Sequence, residues 1–172
     1  MTIVNDAVAG REEVYLAGGC FWGMQDLLRD IPGVIETDVG YAGGHVKNAT
    51  YHRHDGHAET VRLVFDPEQL SFEELLRWFF RIHDPTTKDR QGYDVGLSYR
   101  SAIFFTTEEQ QAIAEGFKRR LDATGSWGAP IVTEIVPATD YWRAEEGHQD
   151  YLEKNPGGYT CHLLRPESVL GD

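Results

Sequence analysis

Cysteine is scarce in this chain, and no long apolar run occurs. The 172 residues include two cysteines, Cys20 and Cys161, which is too few for a scaffold held together by disulfides. The apolar runs are much shorter than the about 20 residues that a membrane-spanning helix needs. Met1 to Gly10 include Asp6 and have neither a basic start nor a long apolar stretch, so we expect no secretory signal and a cytoplasmic location. Two thiols in that compartment indicate redox or catalytic chemistry.

Positive charge is also in short supply. Sixteen Lys and Arg residues face 28 Asp and Glu residues, for a net charge of −12, and this balance disfavours a nucleic-acid partner. The hydrophobic content of 41% argues against disorder. A chain of this length can bury about 70% of its unfolded surface. We therefore expect one domain, 1–172, with a Pro- and Gly-rich tail from about Asn155 that carries Cys161.

Strand-like and helix-like segments alternate along the chain in the order βαββαβαβ. Ser71 and Glu74 form a capping box before an amphipathic helical stripe. Strands are predicted over 14–17, 34–41, 58–66, 101–105 and 131–136, and helices after Cys20, over 72–82, from Thr106 to Gly125, and from about Ala144 to Lys154. This order predicts an α+β fold: a two-layer mixed sheet with packed helices, a ferredoxin-like plait core and an irregular C-terminal tail.

The segment Gly18-Gly19-Cys20-Phe21-Trp22-Gly23 places a thiol where a strand ends and a helix begins. The first amides of a helix have no partners within it, and the helix dipole is positive there. We expect both effects to make the Cys20 thiol easier to ionise, as in reactive cysteines. The alternative is inert packing, which is the usual fate of a buried free cysteine.

Glu59 shares a strand face with Val61, Leu63 and Phe65, the face expected to point into the core. A carboxyl group on an apolar face loses hydration, and its pKa rises. Such a group can serve as a general acid near neutral pH. The alternative is a carboxylate at the strand end that reaches water.

Loop residues supply further polar groups. The hydroxyls of Tyr51 and Tyr99 can donate hydrogen bonds to a polarised oxygen, or each can be a half-buried aromatic residue with a satisfied hydroxyl. Asp94 follows Gly92, so a role in a turn is equally plausible. One loop also contains four histidines, and although metal ligation there is conceivable, their spacing matches no common zinc pattern, so we predict no metal site. These histidines are His45, His52, His54 and His57.

Cys161 follows Gly157 and Gly158, and glycines make that segment pliable. The tail can therefore bring a second thiol to Cys20. The alternative is a permanent disulfide between the two, which a reducing compartment disfavours. Near the tail, His148 and His162 either assist a thiol or lie on the surface.

At this point the residues resemble those of a known family, the A-type peptide methionine sulfoxide reductases. The resemblance covers about Val14 to Pro166. Its motifs are Gly19-Cys20-Phe21-Trp22-Gly23, Gly40-Tyr41-Ala42-Gly43-Gly44, Thr50-Tyr51, Gly56-His57-Ala58-Glu59, His83-Asp84-Pro85, Arg90-Gln91-Gly92-Tyr93-Asp94, Gln149-Asp150-Tyr151 and Asn155-Pro156-Gly157-Gly158-Tyr159.

The resemblance implies an enzyme that reduces methionine S-sulfoxide, free or in proteins, with no bound cofactor. Its roles would be Cys20 as nucleophile, Glu59 as acid, Tyr51 and Tyr99 as holders of the sulfoxide oxygen, Asp94 as a residue that orders water, Phe21 and Trp22 as the methyl pocket, and Cys161 as resolving thiol. A disulfide between Cys20 and Cys161 would then be reduced by thioredoxin. We expect a monomer that acts on oxidised proteins, without nucleic-acid or membrane partners.

Two other classes of protein remain open from the residues alone. One is an acyl-transfer enzyme in which Cys20 pairs with a histidine. The other is a metal-binding module built on the loop from His45 to His57.

Overall fold

The computed structural model of the protein describes residues 10–172. The segment in which no secretory signal is predicted, Met1 to Gly10, lies outside the described residues except for Gly10. The helices and strands are β1 Glu12–Gly18, α1 Phe21–Leu28, β2 Val34–Ala42, β3 Ala58–Phe65, α2 Phe72–Ile82, β4 Arg90–Gln91, β5 Asp94–Val95, β6 Ser101–Phe105, α3 Glu108–Thr124, β7 Glu134–Pro137, β8 Tyr141–Arg143 and α4 Tyr151–Lys154.

The main sheet has six strands in the order β7-β6-β1-β3-β2-β8. Its four central strands pair antiparallel, and their order follows from two interleaved βαβ units, as in a ferredoxin-like plait. At one edge β7 pairs parallel to β6, and at the other β8 pairs antiparallel to β2. The predicted α+β class, with its mixed sheet and plait core, is confirmed.

Alternation along β1 separates the two faces of the sheet. Val14 and Leu16 belong to the large buried cluster that includes the apolar sides of α1, α2 and α3. Tyr15 and Ala17 point the other way, into a smaller cluster with Phe104. Since side chains of a strand alternate between faces, this pattern puts the helices on one side of the sheet and produces the two layers.

Local signals fix the ends of two helices as predicted. The Ser71 side chain accepts a hydrogen bond from the Glu74 amide, and the Glu74 carboxylate accepts one from the Ser71 amide. This capping box satisfies amides that the first turn of α2 leaves free. Helix α3 ends at Gly125, whose φ of 67° lies in the left-handed region that glycine adopts without strain.

Two predicted elements are wrong in extent. The strand expected over 131–136 begins at Glu134. The helix expected from about Ala144 to Lys154 forms only at its end: Tyr141–Arg143 pairs with β2, and the α-helix in that segment is Tyr151–Lys154. The intervening backbone is held by the buried Gln149 side chain, which bonds the amide and carbonyl of Val39.

Two further segments carry the site. The loop predicted from His83 to Leu97 contains a small hairpin, β4–β5, that turns at Gly92 with a φ of 58°. From Asn155 to Pro166 the tail has no helix or strand, as predicted. Across residues 10–172, we find no helix with the length and apolarity needed to cross a membrane.

Candidate active site

Cys20 lies at the junction between β1 and α1, as predicted, and is the N-cap residue of that helix. Its relative exposure is 6%. Gly19 turns the chain with a φ of 104°, and a Cβ there would lie 2.7 Å from the Gln91 side chain. The turn therefore needs glycine for both conformation and space. The backbone amides of Trp22 and Gly23 act to lower the pKa of the Cys20 thiol and so favour its thiolate form.

The prediction that Cys20 ionises easily is wrong for the protein in this state. Burial raises the pKa of its thiol to about 12, and the negative charge of Glu59 acts in the same direction. The amides at the helix start oppose this shift but do not outweigh it. A buried thiol beside a carboxylate keeps its proton.

Glu59 occupies the buried face of β3, as predicted, and is 2% exposed. Its carboxylate accepts a hydrogen bond of 3.1 Å from the amide of Phe21, the first residue of α1. Burial raises the pKa of Glu59 to about 7, the Phe21 amide opposes the rise, and the charge of Asp94 adds to it. About half of the Glu59 side chains therefore carry a proton at pH 7.

Tyr51, Asp94 and Tyr99 come together with this pair. The pKa of each tyrosine is raised, first by burial and then by several nearby acidic groups. For both tyrosines those groups include Glu59, Asp94 and Cys20. The structure thus gathers the predicted nucleophile, acid, phenols and aspartate into one neighbourhood.

The two aromatic residues after Cys20 take different places. Phe21 is completely buried and packs against Tyr41, with ring centroids 5.7 Å apart. Trp22 is partly exposed and stacks on Tyr151 at 3.9 Å, while its Nε1 donates to His148 Nδ1 at 3.1 Å. Of the predicted pair, Trp22 therefore offers exposed surface to a ligand, whereas Phe21 is part of the buried core.

The tail brings Cys161 beside the same group of residues. Its sulfur lies 3.8 Å from an Asp94 carboxylate oxygen and 4.0 Å from the Gln91 carbonyl oxygen. Both Cys20 and Cys161 are free thiols, which disfavours a permanent disulfide. Asp94 is a shared neighbour, since its charge raises the pKa of both thiols.

A family model for peptide methionine sulfoxide reductase matches residues 12–169. The chain belongs to the peptide methionine sulfoxide reductase family. A relative from Nitrobacter winogradskyi, peptide methionine sulfoxide reductase MsrA, is 60% identical over 159 residues, which are 92% of this chain and 89% of the relative. The resemblance seen in the sequence is confirmed.

Solved structures agree with this family membership. The crystal structure of Mxr1 from Saccharomyces cerevisiae in reduced form has a TM-score of 0.81 and 35% identity, covering 96% of this chain and 97% of that one. Mxr1 in complex with Trx2 has a TM-score of 0.60 and 27% identity, covering 95% and 96%.

Within this peptide methionine sulfoxide reductase fold, sequence reasoning missed Glu145. Its carboxylate accepts hydrogen bonds from the Tyr41 hydroxyl at 3.0 Å and from the Tyr51 amide at 3.2 Å. Glu145 therefore fixes the backbone that carries Tyr51. Its only signal was its place four residues before the quoted motif Gln149-Asp150-Tyr151, which gave no hint of a contact with Tyr51.

The histidine-rich loop is held by separate contacts. His57 bonds the Gly44 amide and the Val46 carbonyl, and His54 bonds Ser98 at 2.7 Å. Among residues 10–172 no group of three or more His, Cys, Asp or Glu side chains could hold a metal ion. In the same range no histidine is hydrogen-bonded to Cys20, which disfavours the acyl-transfer alternative.

Proposed function

We propose that this protein reduces methionine S-sulfoxide, free or in proteins, to methionine, as a thiol-dependent peptide-methionine (S)-S-oxide reductase that repairs oxidised proteins. One observation carries the proposal. A buried cysteine and a buried carboxyl group both meet the first turn of one helix. Glu59 accepts a hydrogen bond from the Phe21 amide, and the next two amides act on the Cys20 sulfur. Membership of the peptide methionine sulfoxide reductase family identifies methionine sulfoxide as the substrate of this pair.

In the first step, Glu59 gives its proton to the sulfoxide oxygen and the Cys20 sulfur attacks the sulfoxide sulfur. A bond forms between the two sulfurs, and the oxygen then passes as a hydroxyl from the substrate sulfur to the Cys20 sulfur. Both the sulfur–oxygen bond of the substrate and the sulfur–sulfur bond break, methionine leaves, and Cys20 becomes a sulfenic acid. Methionine sulfoxide is reduced by two electrons, and Cys20 is oxidised by two. The proton of the Cys20 thiol returns to Glu59, so the acid is ready for the next turnover.

The high pKa of Cys20 suits this order of events. While Glu59 is a carboxylate, its charge opposes a thiolate at Cys20. When Glu59 is neutral, that opposition vanishes; burial still raises the pKa of Cys20, and the Trp22 and Gly23 amides act against it. The Cys20 thiol therefore ionises more easily in the protonation state in which the acid can act.

The remaining predicted residues serve the sulfoxide group. Tyr51 and Tyr99 keep their protons, since the pKa of each is raised, and their hydroxyls donate to the oxygen as it gains negative charge. Asp94 orders water beside them. Trp22, next to the buried Phe21, receives the substrate methyl group, a contact that contributes about 1 kcal/mol.

In the second step, Cys161 condenses with the Cys20 sulfenic acid to give a disulfide and water. Thioredoxin then reduces this disulfide, as the complex of Mxr1 with Trx2 suggests for a relative. No bound cofactor is needed, because both electrons come from the two thiols. We further propose a cytoplasmic monomer of one domain, 1–172, that takes oxidised proteins as substrates.

The test is incubation with separated methionine sulfoxide epimers and dithiothreitol. We expect methionine from the S epimer and almost none from the R epimer, since separate enzymes act on the two epimers. Methionine formed from neither epimer would overturn the proposed function.

A further inference from the structure

His162 is wedged between the tail and the start of α1. It is 9% exposed, and its Nε2 lies 2.8 Å from the carbonyl oxygen of Gly18. A Cβ on Gly23 would lie 2.3 Å from His162 Nδ1, and one on Gly19 would lie 3.1 Å from Nε2. The glycines that flank Cys20 therefore make room for this imidazole, and the imidazole holds the tail against the nucleophile's helix.

The Gly18 carbonyl determines which nitrogen of His162 carries the hydrogen. A carbonyl oxygen only accepts hydrogen bonds, so Nε2 must donate, and in the neutral ring Nδ1 is then an acceptor. Within residues 10–172, the hydrogen-bond partner of Nδ1 is the Cys161 sulfur at 4.0 Å. The acceptor nitrogen of His162 is thus within hydrogen-bond reach of the thiol that has to react second.

Two oxygens also lie near the Cys161 thiol, and neither is as well suited as His162 Nδ1 to take its proton. The Gln91 carbonyl, 4.0 Å away, is not a base. The Asp94 carboxylate, 3.8 Å away, becomes neutral when it takes a proton, so it would not stabilise the thiolate that forms. A protonated His162 would instead attract that thiolate, because the charges are opposite.

We propose that His162 is the general base of the second step and takes the proton of Cys161 as its sulfur attacks the Cys20 sulfenic acid. The inference rests on the proposed function. A bond forms between the two sulfurs, the sulfur–oxygen bond of the sulfenic acid breaks, and the hydroxide leaves as water with the proton that His162 collected. The Cys161 sulfur is oxidised, the Cys20 sulfur is reduced, and His162 returns to its neutral form.

The surroundings of both groups set the expected pH dependence. Burial lowers the pKa of His162; the Gly18 carbonyl and Asp94 oppose this, and Arg165 reinforces it, as does the neighbouring His83 if it becomes charged. Burial raises the pKa of Cys161, Asp94 adds to the rise, and a Tyr159 hydrogen bond opposes it. At pH 7 the base is therefore free and the thiol protonated, which is the pair that general-base catalysis requires.

The experiment is a single turnover of the reduced full-length protein, with methionine and remaining thiol measured separately in time. The variant is His162→Gln, whose amide can still donate to the Gly18 carbonyl but cannot take a proton. We expect methionine formation at the unaltered rate and disulfide formation slowed about 10²- to 10⁴-fold at pH 7. The deficit should shrink as pH rises toward 10, because the thiol then ionises without a base. Leu164→Ala, an exposed change in the same tail, is the control.

A second variant distinguishes the role of His162 as a base from its role in holding the tail against α1. In His162→Ala, added imidazole should restore disulfide formation in proportion to its concentration. An unaltered disulfide rate in His162→Gln, a deficit that stays constant from pH 7 to 10, or no rescue by imidazole would each overturn the proposal. If Asp94→Asn, and not His162→Gln, slows disulfide formation at pH 7 with a deficit that shrinks as pH rises, then Asp94 is the base. Should no methionine form, the proposed function fails, and the disulfide rate is read after oxidising Cys20 with one equivalent of hydrogen peroxide.

Discussion

Cys20 and Cys161 are both thiols whose pKa burial raises, yet the protein holds them in different ways. Cys20 is the N-cap of a helix, and the groups that act to lower the pKa of its thiol are backbone amides of that helix. Cys161 lies in a tail without helix or strand, and side chains such as Asp94 and His162 surround it. The position of Cys20 is thus determined by regular secondary structure, whereas that of Cys161 depends on a few side-chain contacts.

This difference assigns a different partner to each thiol. The charge that opposes ionisation of Cys20 is removed when Glu59 takes a proton, so the nucleophile depends on a buried carboxyl group. For Cys161, the charge of Asp94 opposes ionisation of the thiol, and the neighbouring imidazole of His162 can accept its proton. A thiol that attacks substrate gains from rigidity, whereas a thiol that must approach a sulfenic acid gains from a movable segment.

The largest effect should come from Cys20→Ser. A hydroxyl cannot accept the sulfoxide oxygen to form a sulfenic acid, so we expect no methionine even in a single turnover. Serine is a favoured N-cap residue, and the variant should fold with unaltered circular dichroism. Methionine production by this variant would remove Cys20 from the reaction.

Cys161→Ser should separate the two thiols. The first equivalent of methionine should appear at the unaltered rate, because Cys161 acts only afterwards. Turnover with thioredoxin should then stall, while dithiothreitol, a small thiol that can reach the sulfenic acid directly, should sustain it. Thioredoxin-driven turnover equal to that of the unmodified protein would contradict the role of the tail.

Glu59→Gln should slow methionine formation about 10²- to 10⁴-fold, the usual contribution of a general acid. The pKa of Glu59 is raised to about 7, so its acid form is present below that pH and is lost above it. The rate of methionine formation in the unmodified protein should fall above pH 7, and the fall should be absent in Glu59→Gln. Glu115→Gln, an exposed change on α3, is the control.

The central fold was accessible from the sequence because its signals are local. Alternation placed Glu59 on the buried face of β3, the capping box marked the start of α2, and Gly125 marked the end of α3. The segment from Tyr141 to Lys154 was mispredicted since its structure depends on distant partners. Pairing of Tyr141–Arg143 with β2 overrides its weak local pattern.

The site was only partly accessible for the same reason. Cys20 and Glu59 are marked by their immediate neighbours in the chain. The direction of the Cys20 pKa was missed because it depends on burial and on a residue 39 positions away. Glu145 was missed, and the role of His162 stayed open between assisting a thiol and lying on the surface. Each acts through a contact, with Tyr51 or with Gly18, and no local pattern encodes such contacts.

The smallest effect concerns stability and tests the same buried carboxyl group. The pKa of Glu59 is raised from 4.5 to about 7 on folding, so the folded state binds more protons and the free energy of unfolding falls as pH rises through this window. The loss should total about 3 kcal/mol between pH 4 and pH 8. Glutamine has no charge to bury, so Glu59→Gln should gain stability relative to the unmodified protein over that range. Urea unfolding of both proteins with reduced thiols measures the difference, and a gap that does not change with pH would mean that Glu59 reaches water and keeps an ordinary pKa.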